Sequence, residues 1–278
     1  MALAIATNNA ALNAAASASS VNRDMETSMA RLSSGKRINS ASDDAAGVAI
    51  SSRLSAEIRG TDQAIRNALD GQALIDTAEG AHKEIENILQ RMREVAVQAG
   101  NDTNNTQDRA NLQAEMDAMT TEIDRIAGTT TWAGTSLMAT GTSTFSFQVG
   151  AATGAQNQIS VGINEMDAEA LSVEAADVDL ATSGTSRTSA IATLDAAIKT
   201  VNDQRSELGA VSNRLNHTVN NLTNISSNLS AAKGGIEDAD FALETTNLAK
   251  NQILQQASTA MLAQANASKQ NVLSLLQG

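Results

Sequence analysis

The chain has 278 residues, 19 basic and 31 acidic side chains, a formal charge of −12 and only 1% aromatic residues. It contains neither cysteine nor proline, although at about 5% a chain of this length would usually hold on the order of fourteen prolines. Disulfide frameworks and thiolate metal sites are therefore excluded, and the acidic balance argues against nucleic acid and anionic membranes as partners.

From residue 1 to about residue 32 the chain is mostly Ala, Ser and Asn, with Ile5, Leu12, Val21, Met25, Met29 and Leu32 as its larger apolar side chains. Their spacing predicts a helix with a thin apolar stripe, which can be ordered only against partners. The start lacks a basic segment followed by a strong apolar run, so it does not read as a cleavable secretory signal. No apolar run is long enough to span a bilayer. Ser33-Ser34-Gly35-Lys36 interrupts the helix, and Ser42 is the expected N-cap of the next one, with Asp43 and Asp44 against the positive end of its dipole.

From Asp44 to Ala99 the apolar spacing is helical throughout. Leu54, Ile58, Thr61, Ile65, Ala68, Gln72 and Ile75 set a four-three rhythm that Ile85, Ile88, Met92, Val95 and Ala99 continue. A helix of that length extends roughly 80 Å. The run from Gly100 to Asn105 is a turn cluster, after which Leu112, Met116, Met119, Ile123 and Ile126 predict an antiparallel return helix in heptad register.

Residues 128–187 are rich in Gly, Thr and Ser. Thr144–Val149 and Gln158–Ile163 alternate with period two, and Gly150 to Asn157 joins them as a hairpin. From Thr188 the heptad resumes through Ile191, Leu194, Ile198, Val201, Arg205, Leu208, Val211, Leu215, Val219, Leu222, Ile225 and Leu229. Gly234-Gly235 is expected to break it. A final Ala-rich helix then carries Leu254, Ala257, Met261, Ala265, Ser268, Val272 and Leu275 on one stripe. The fold class expected is thus mainly α: a long antiparallel coiled-coil-like rod with a small β-hairpin, and two thin terminal helices that pair at one end.

Chemistry is sparse. His82 and His217 sit inside heptad helices without an acidic or second histidine partner at metal spacing, so they read as helical residues rather than ligands or bases. Asp43 with Asp44, and Glu237 with Asp238 and Asp240, read as helix-start electrostatics. No phosphate loop, nucleophile elbow or H-E-x-x-H is present. No catalytic residue, metal or cofactor is expected. The exposed run from Gln90 to Val95 reads as a solvated helix face with local ion pairs.

Four motifs carry a resemblance. RLSSGKRINSASDDAAGVAI (31–50) resembles the N-terminal signature of bacterial flagellins. LQRMREVAVQAGNDTN (89–104), EIDRIA (122–127) and a C-terminal set beginning Ile236-Glu237-Asp238-Ala239-Asp240-Phe241-Ala242 and continuing QILQQASTAMLAQAN (252–266) agree with it in the family's order. Together they cover nearly the whole chain outside the polar middle. Lys269 stands where the family usually has proline, and Ile5-Ala6-Thr7-Asn8 replaces the usual INTN start.

The resemblance implies an extracellular subunit of the flagellar filament, polymerised in many copies and exported unfolded by the flagellar type III apparatus without a cleaved signal. It implies an inner tube of terminal helices (1–34 and 236–278) packed between subunits through Ile5, Leu12, Met29, Leu32, Leu254, Met261, Val272 and Leu275. It implies an outer rod (44–127 and 188–231) with Leu54, Ile58, Ile65, Leu112, Met116, Ile123, Leu194, Ile198, Leu208, Leu215 and Leu222 in its core. Residues 35–43 and 232–235 would be linkers, and 128–187 the hairpin and its connections, a minimal form without large surface domains.

Further partners implied are an export chaperone on the C-terminal helix from Phe241 to Leu276, the filament cap and the hook-associated proteins. An innate-immune receptor surface would map onto Arg91, Glu115 and Val95, where valine replaces the usual leucine, a loss of about 1 kcal/mol per methylene at a buried contact. Family analogy alone makes the Ser and Thr of 129–153 candidate glycosylation sites. The runner-up is a hook–filament junction protein, which shares the termini but matches the signature loosely. An enzyme in the same frame would need a catalytic insertion that the short middle does not provide, and a cytoplasmic coiled-coil scaffold has no need of such apolar, alanine-rich ends.

Overall fold

The structure, a computed structural model, describes residues 7–139, 141–181 and 184–277, with side chains as far as Ser268. Helix α1 (Asn9–Ser34) starts where the Asn8 side chain accepts the Ala11 N–H at 3.2 Å, and it ends at Gly35, whose φ of 70° is the left-handed conformation that glycine adopts without penalty. The connection to α2 (Ala45–Ala99) is closed by carboxylates. Asp44, rather than the expected Ser42, is the cap: its Oδ1 accepts the Gly47 N–H at 2.8 Å. Ser42 shares a hydrogen bond with Ser40 instead (2.7 Å). Asp43 turns back onto the N–H groups of Asn39 and Ser40 at 3.0 and 2.8 Å, and these bonds hold its carboxyl below the usual range. Asp44 takes the cap because it alone stands immediately before the first helical turn, with its charge at the positive end of the dipole.

Helix α3 (Thr106–Thr129) opens with a capping box in which Asn105 and Asp108 satisfy each other's backbone N–H groups. A two-residue pair, β1 (Thr131–Trp132) with β2 (Thr135–Ser136), then turns through Ala133 and Gly134, both at positive φ, as a tight primed turn requires. With two-residue strands, this small hairpin is too short to show a periodicity in the sequence. The larger hairpin, β3 (Ser143–Gln148) with β4 (Gln158–Ile163), is antiparallel with Phe145 opposite Val161 and Phe147 opposite Ile159. Phe147 lies against α2 at Gly71, where an added Cβ would fall 3.1 Å from the ring.

Helix α4 (Gly184–Glu237) runs straight through Gly234-Gly235, so the expected break and the linker at 232–235 are corrected. Two glycines cost a helix about 2 kcal/mol relative to alanine, and other contacts hold this end. The Asp238 N–H closes the last turn on Gly234 O at 2.8 Å. Glu237 pairs with Lys36 at 3.2 Å and accepts from Ser51, and Lys36 forms an antiparallel bridge with Asp238. The chain turns only at 238–240, where Asp240 Oδ1 caps α5 (Phe241–Gln277) by accepting the Ala242 and Leu243 N–H groups.

The chain divides into two compact units, residues 57–227 and residues 1–56 with 228–278. The first holds nearly all of the apolar core. Met92, Val95, Met116, Ile123, Leu194, Val201, Leu208 and Leu215 have no exposed surface. Residues 164–181 are irregular yet belong to this core through buried Met166, Leu171, Val173, Val178 and Leu180. Their backbone is tied to α3 by Thr120 on Val173 O (3.2 Å), Asp124 on Ala168 N–H (2.8 Å) and Gln113 on Leu180 N–H (2.7 Å).

Candidate assembly surface

In the terminal unit, α1 and α5 pair antiparallel. Asn8 Nδ2 donates to Ala265 O at 3.1 Å, Gln255 Nε2 to Asn22 Oδ1 at 2.8 Å, and Arg31 meets Glu244 at 3.0 Å. The seam follows heptad spacing on both helices: Ala14, Ala18, Val21, Met25, Ser28 and Leu32 on α1 face inward, with Glu244, Leu248, Asn251, Gln255, Ser258 and Leu262 on α5. Small and polar side chains fill most of those positions. Such a seam fixes register and orientation but removes little apolar surface from water.

Many of the larger apolar side chains of this unit point elsewhere. Leu12, Met29, Ile50, Phe241, Leu243, Ile253, Leu254 and Met261 are all exposed, Ile253 at 67% and Met261 at 66%. In unit 57–227 the exposed large apolar residues among those described are Leu69, Val97 and Ile225. Among the described residues, only Ala14 and Ile38 of the buried apolar residues belong to the terminal unit. Monomeric proteins seldom leave so many large apolar groups uncovered on neighbouring elements.

Of the residues expected at inter-subunit contacts, Leu12, Met29, Leu254 and Met261 are exposed, whereas Leu32 is half-buried in the α1–α5 seam. Ile5 and the side chains of Lys269, Val272 and Leu275 lie outside the described residues. The expected α5 stripe runs one position off the true seam: position 255 faces α1, and Leu254 turns out to solvent. Of the expected core positions, Met116, Ile123, Leu194, Leu208, Leu215 and Leu222 are buried, Leu112 and Ile198 half-buried against them, and Leu54, Ile58 and Ile65 half-buried outside the main cluster. Ala64, Ala68 and Leu74 hold the inward face of α2 there.

Arg91 and Glu115 are exposed and pair at 2.8 Å between α2 and α3, with Glu94 also on Arg91 at 3.0 Å. Val95 cannot share that surface. It is fully buried, because its position three residues after Met92 points it into the core. No group of three or more His, Asp or Glu among the described residues is placed to hold a metal, and no described helix is long and apolar enough to cross a membrane. His217 is exposed; His82, by contrast, is buried.

These features define a class: a mainly helical structural subunit with one well-packed unit and one whose terminal helices leave apolar surface uncovered. Comparison with known proteins narrows it. Residues 5–144 match the bacterial flagellin N-terminal helical region, and residues 191–276 the bacterial flagellin C-terminal helical region. The chain is 48% identical over 252 residues to a flagellin of Halalkalibacterium halodurans, covering 91% of this chain and 92% of that one. It is 44% identical to a flagellin of Bacillus subtilis, covering 97% and 98%. The crystal structure of Bacillus cereus flagellin aligns with 60% of this chain and 94% of its own at 32% identity and a TM-score of 0.47.

The chain belongs to the bacterial flagellin family and is a subunit of the flagellar filament. It is a compact member. Its alignment with polar flagellin F of Vibrio parahaemolyticus, 35% identical, spans 376 positions and takes in 99% of this chain and all of that one, so the relative carries inserted residues absent here.

Proposed function

We propose that the exposed apolar residues of the terminal helices are the contacts through which copies of this chain polymerise into a hollow helical filament. The observation that carries this reading is the uncovered set Leu12, Met29, Phe241, Leu243, Ile253, Leu254 and Met261 on α1 and α5. A heterologous contact that does not close on itself yields a helical fibre rather than a ring. In this reading residues 1–34 and 236–278 line the inner tube, the long helices form the outer one, and Ile5, Val272 and Leu275 extend the inner contacts. The extracellular filament receives the chain unfolded through the flagellar type III apparatus, without a cleaved signal. Deferring the burial of α1 and α5 until assembly suits that route.

The export chaperone covers the α5 region from Phe241 to Leu276, whose exposed face it can occupy before assembly. The filament cap and hook-associated proteins meet the same terminal helices at the filament's two ends. An immune receptor surface reduces to Arg91 and Glu115, without Val95. The role is structural, with no catalytic step. Dissociated protein given short filament seeds is expected to elongate them into long filaments in electron micrographs. Persistent monomers, closed rings, or seeds that are capped without growing would contradict the filament reading; capping would favour a junction protein.

A further inference from the structure

His82 lies in α2 with no exposed surface. Its Nδ1 is 2.6 Å from Ala78 O. A carbonyl can only accept, so Nδ1 carries the proton of the neutral ring and Nε2 keeps a lone pair. Nε2 is buried without a hydrogen-bond partner. A second buried group in the same unit has a matching defect. Gln204 of α4, 2% exposed, donates through Nε2 to Gly162 O at 2.9 Å, and its Oε1 has no partner.

Ion pairs place the two residues in one layer. Arg205 reaches Glu79 at 2.8 Å and also Glu86, which stand three residues before and four after His82 on the same helix face. Gln204, one residue earlier on α4, therefore meets α2 at the level of His82.

The charges around this layer are known from each element. On α2 they are Glu79, Glu86 and the exposed Lys83; on α4, Arg205. On α3 the Arg91–Glu115 pairing sets Asp124 and Arg125 at this level, both exposed, between the buried Ile123 and Ala127. Residues 164–181, anchored there by Ala168 on Asp124, bring Glu165 and Asp167. Strands β3 and β4 carry no titratable residue.

We propose that the buried His82 makes the α2–α4 seam acid-sensitive: proton uptake at its Nε2 buries a cation in the layer of Arg205 and loosens the packing of α2 on α4. Burial is the main influence on His82 and pushes its imidazole below the ordinary range, with Arg205 adding to it, while the Ala78 bond and Glu79 act the other way. A histidine depressed in the folded state is protonated more readily when unfolded. Stability is therefore complete above the unfolded value, about 6.5, and falls as pH drops below it. Carboxylates, with ordinary values near 4, act lower in the range.

The experiment follows unfolding of the full chain between pH 7.5 and 5.0, in the wild type and in His82→Leu, with His217→Gln as the exposed control. Wild type and the control are expected to lose roughly 2–5 °C of Tm per pH unit below about 6.5, and His82→Leu to stay flat down to the carboxylate range. Because His82 and His217 are the only histidines, imidazole nitrogen NMR of the unmodified protein reads both directly, whether or not His82→Leu folds. It should show His82 neutral, with its proton on Nδ1, at pH 7.5, and protonated only together with loss of the packed state. Reversible protonation of His82 within the folded state at no cost in Tm would overturn the proposal, as would an unchanged pH slope in His82→Leu.

Discussion

The two units spend the same kind of sequence in opposite ways. Both are built of long helices with heptad spacing, without proline, cysteine or many rings. Residues 57–227 turn that spacing inward: three helices, a hairpin and the 164–181 segment close over a core in which side chains such as Ile85, Leu89 and Leu208 are fully buried. The terminal unit gives most of its seam to small and polar residues and leaves many of its larger apolar residues in solvent. Amphipathic spacing alone therefore does not say where burial takes place. The size of the side chains at the seam does, because stabilisation follows the apolar area removed from water. The first unit buries its apolar residues within itself, and in the proposed reading the second is completed by further copies.

Substitutions should separate the two units by the size and kind of their effects. Leu208→Ala deletes a fully buried side chain from the first unit and is expected to cost about 2–5 kcal/mol in denaturant unfolding of the monomer. A loss below 1 kcal/mol would show that the core is less closely packed than described. Arg205→Ala leaves Glu79 and Glu86 without their shared partner and should cost about 1–3 kcal/mol, again measured on the monomer. Gly47→Ala puts a Cβ 2.5 Å from Asp44 Oδ2 and 2.6 Å from Ile38 Cδ1. The lost cap outweighs the better helix propensity of alanine, a net cost of about 1 kcal/mol, read as fraying of the first turn of α2 by hydrogen exchange. Met261→Ala should be the mildest for the monomer, within about 0.5 kcal/mol, and yet slow seeded filament growth severely. Unimpaired growth would remove Met261 from the assembly surface.

Much of this division was legible in the sequence, for identifiable reasons. Heptads with large residues at regular intervals placed α3, α4 and the C-terminal half of α2, and period-two alternation placed β3 and β4 within a residue. The misses share a cause: each was decided by a contact distant in sequence or by a one-residue rotation. Gly234-Gly235 reads as a break until Lys36 and Ser51 are seen holding Glu237. Val95 stands on the apolar stripe by its spacing, and the family resemblance that placed it beside Arg91 at the surface gives way to that spacing. Leu254 and Met261 belong to an apolar stripe, but the intramolecular seam is the more polar one beside it. The layer of His82 and Gln204 had no sequence signal, since His82 stands alone in its helix and the heptad spacing puts Arg205, not the buried Gln204, on the inward stripe.

In the proposed assembly the terminal unit defers its burial until copies of the chain meet. Hydrogen exchange measured on monomer and on filament tests it residue by residue. Amides of α1 and α5 are expected to exchange quickly in the monomer and to become strongly protected in the filament, while those of residues 57–227 are protected in both. Equal protection of both units in the monomer, or no gain in α1 and α5 on assembly, would contradict it.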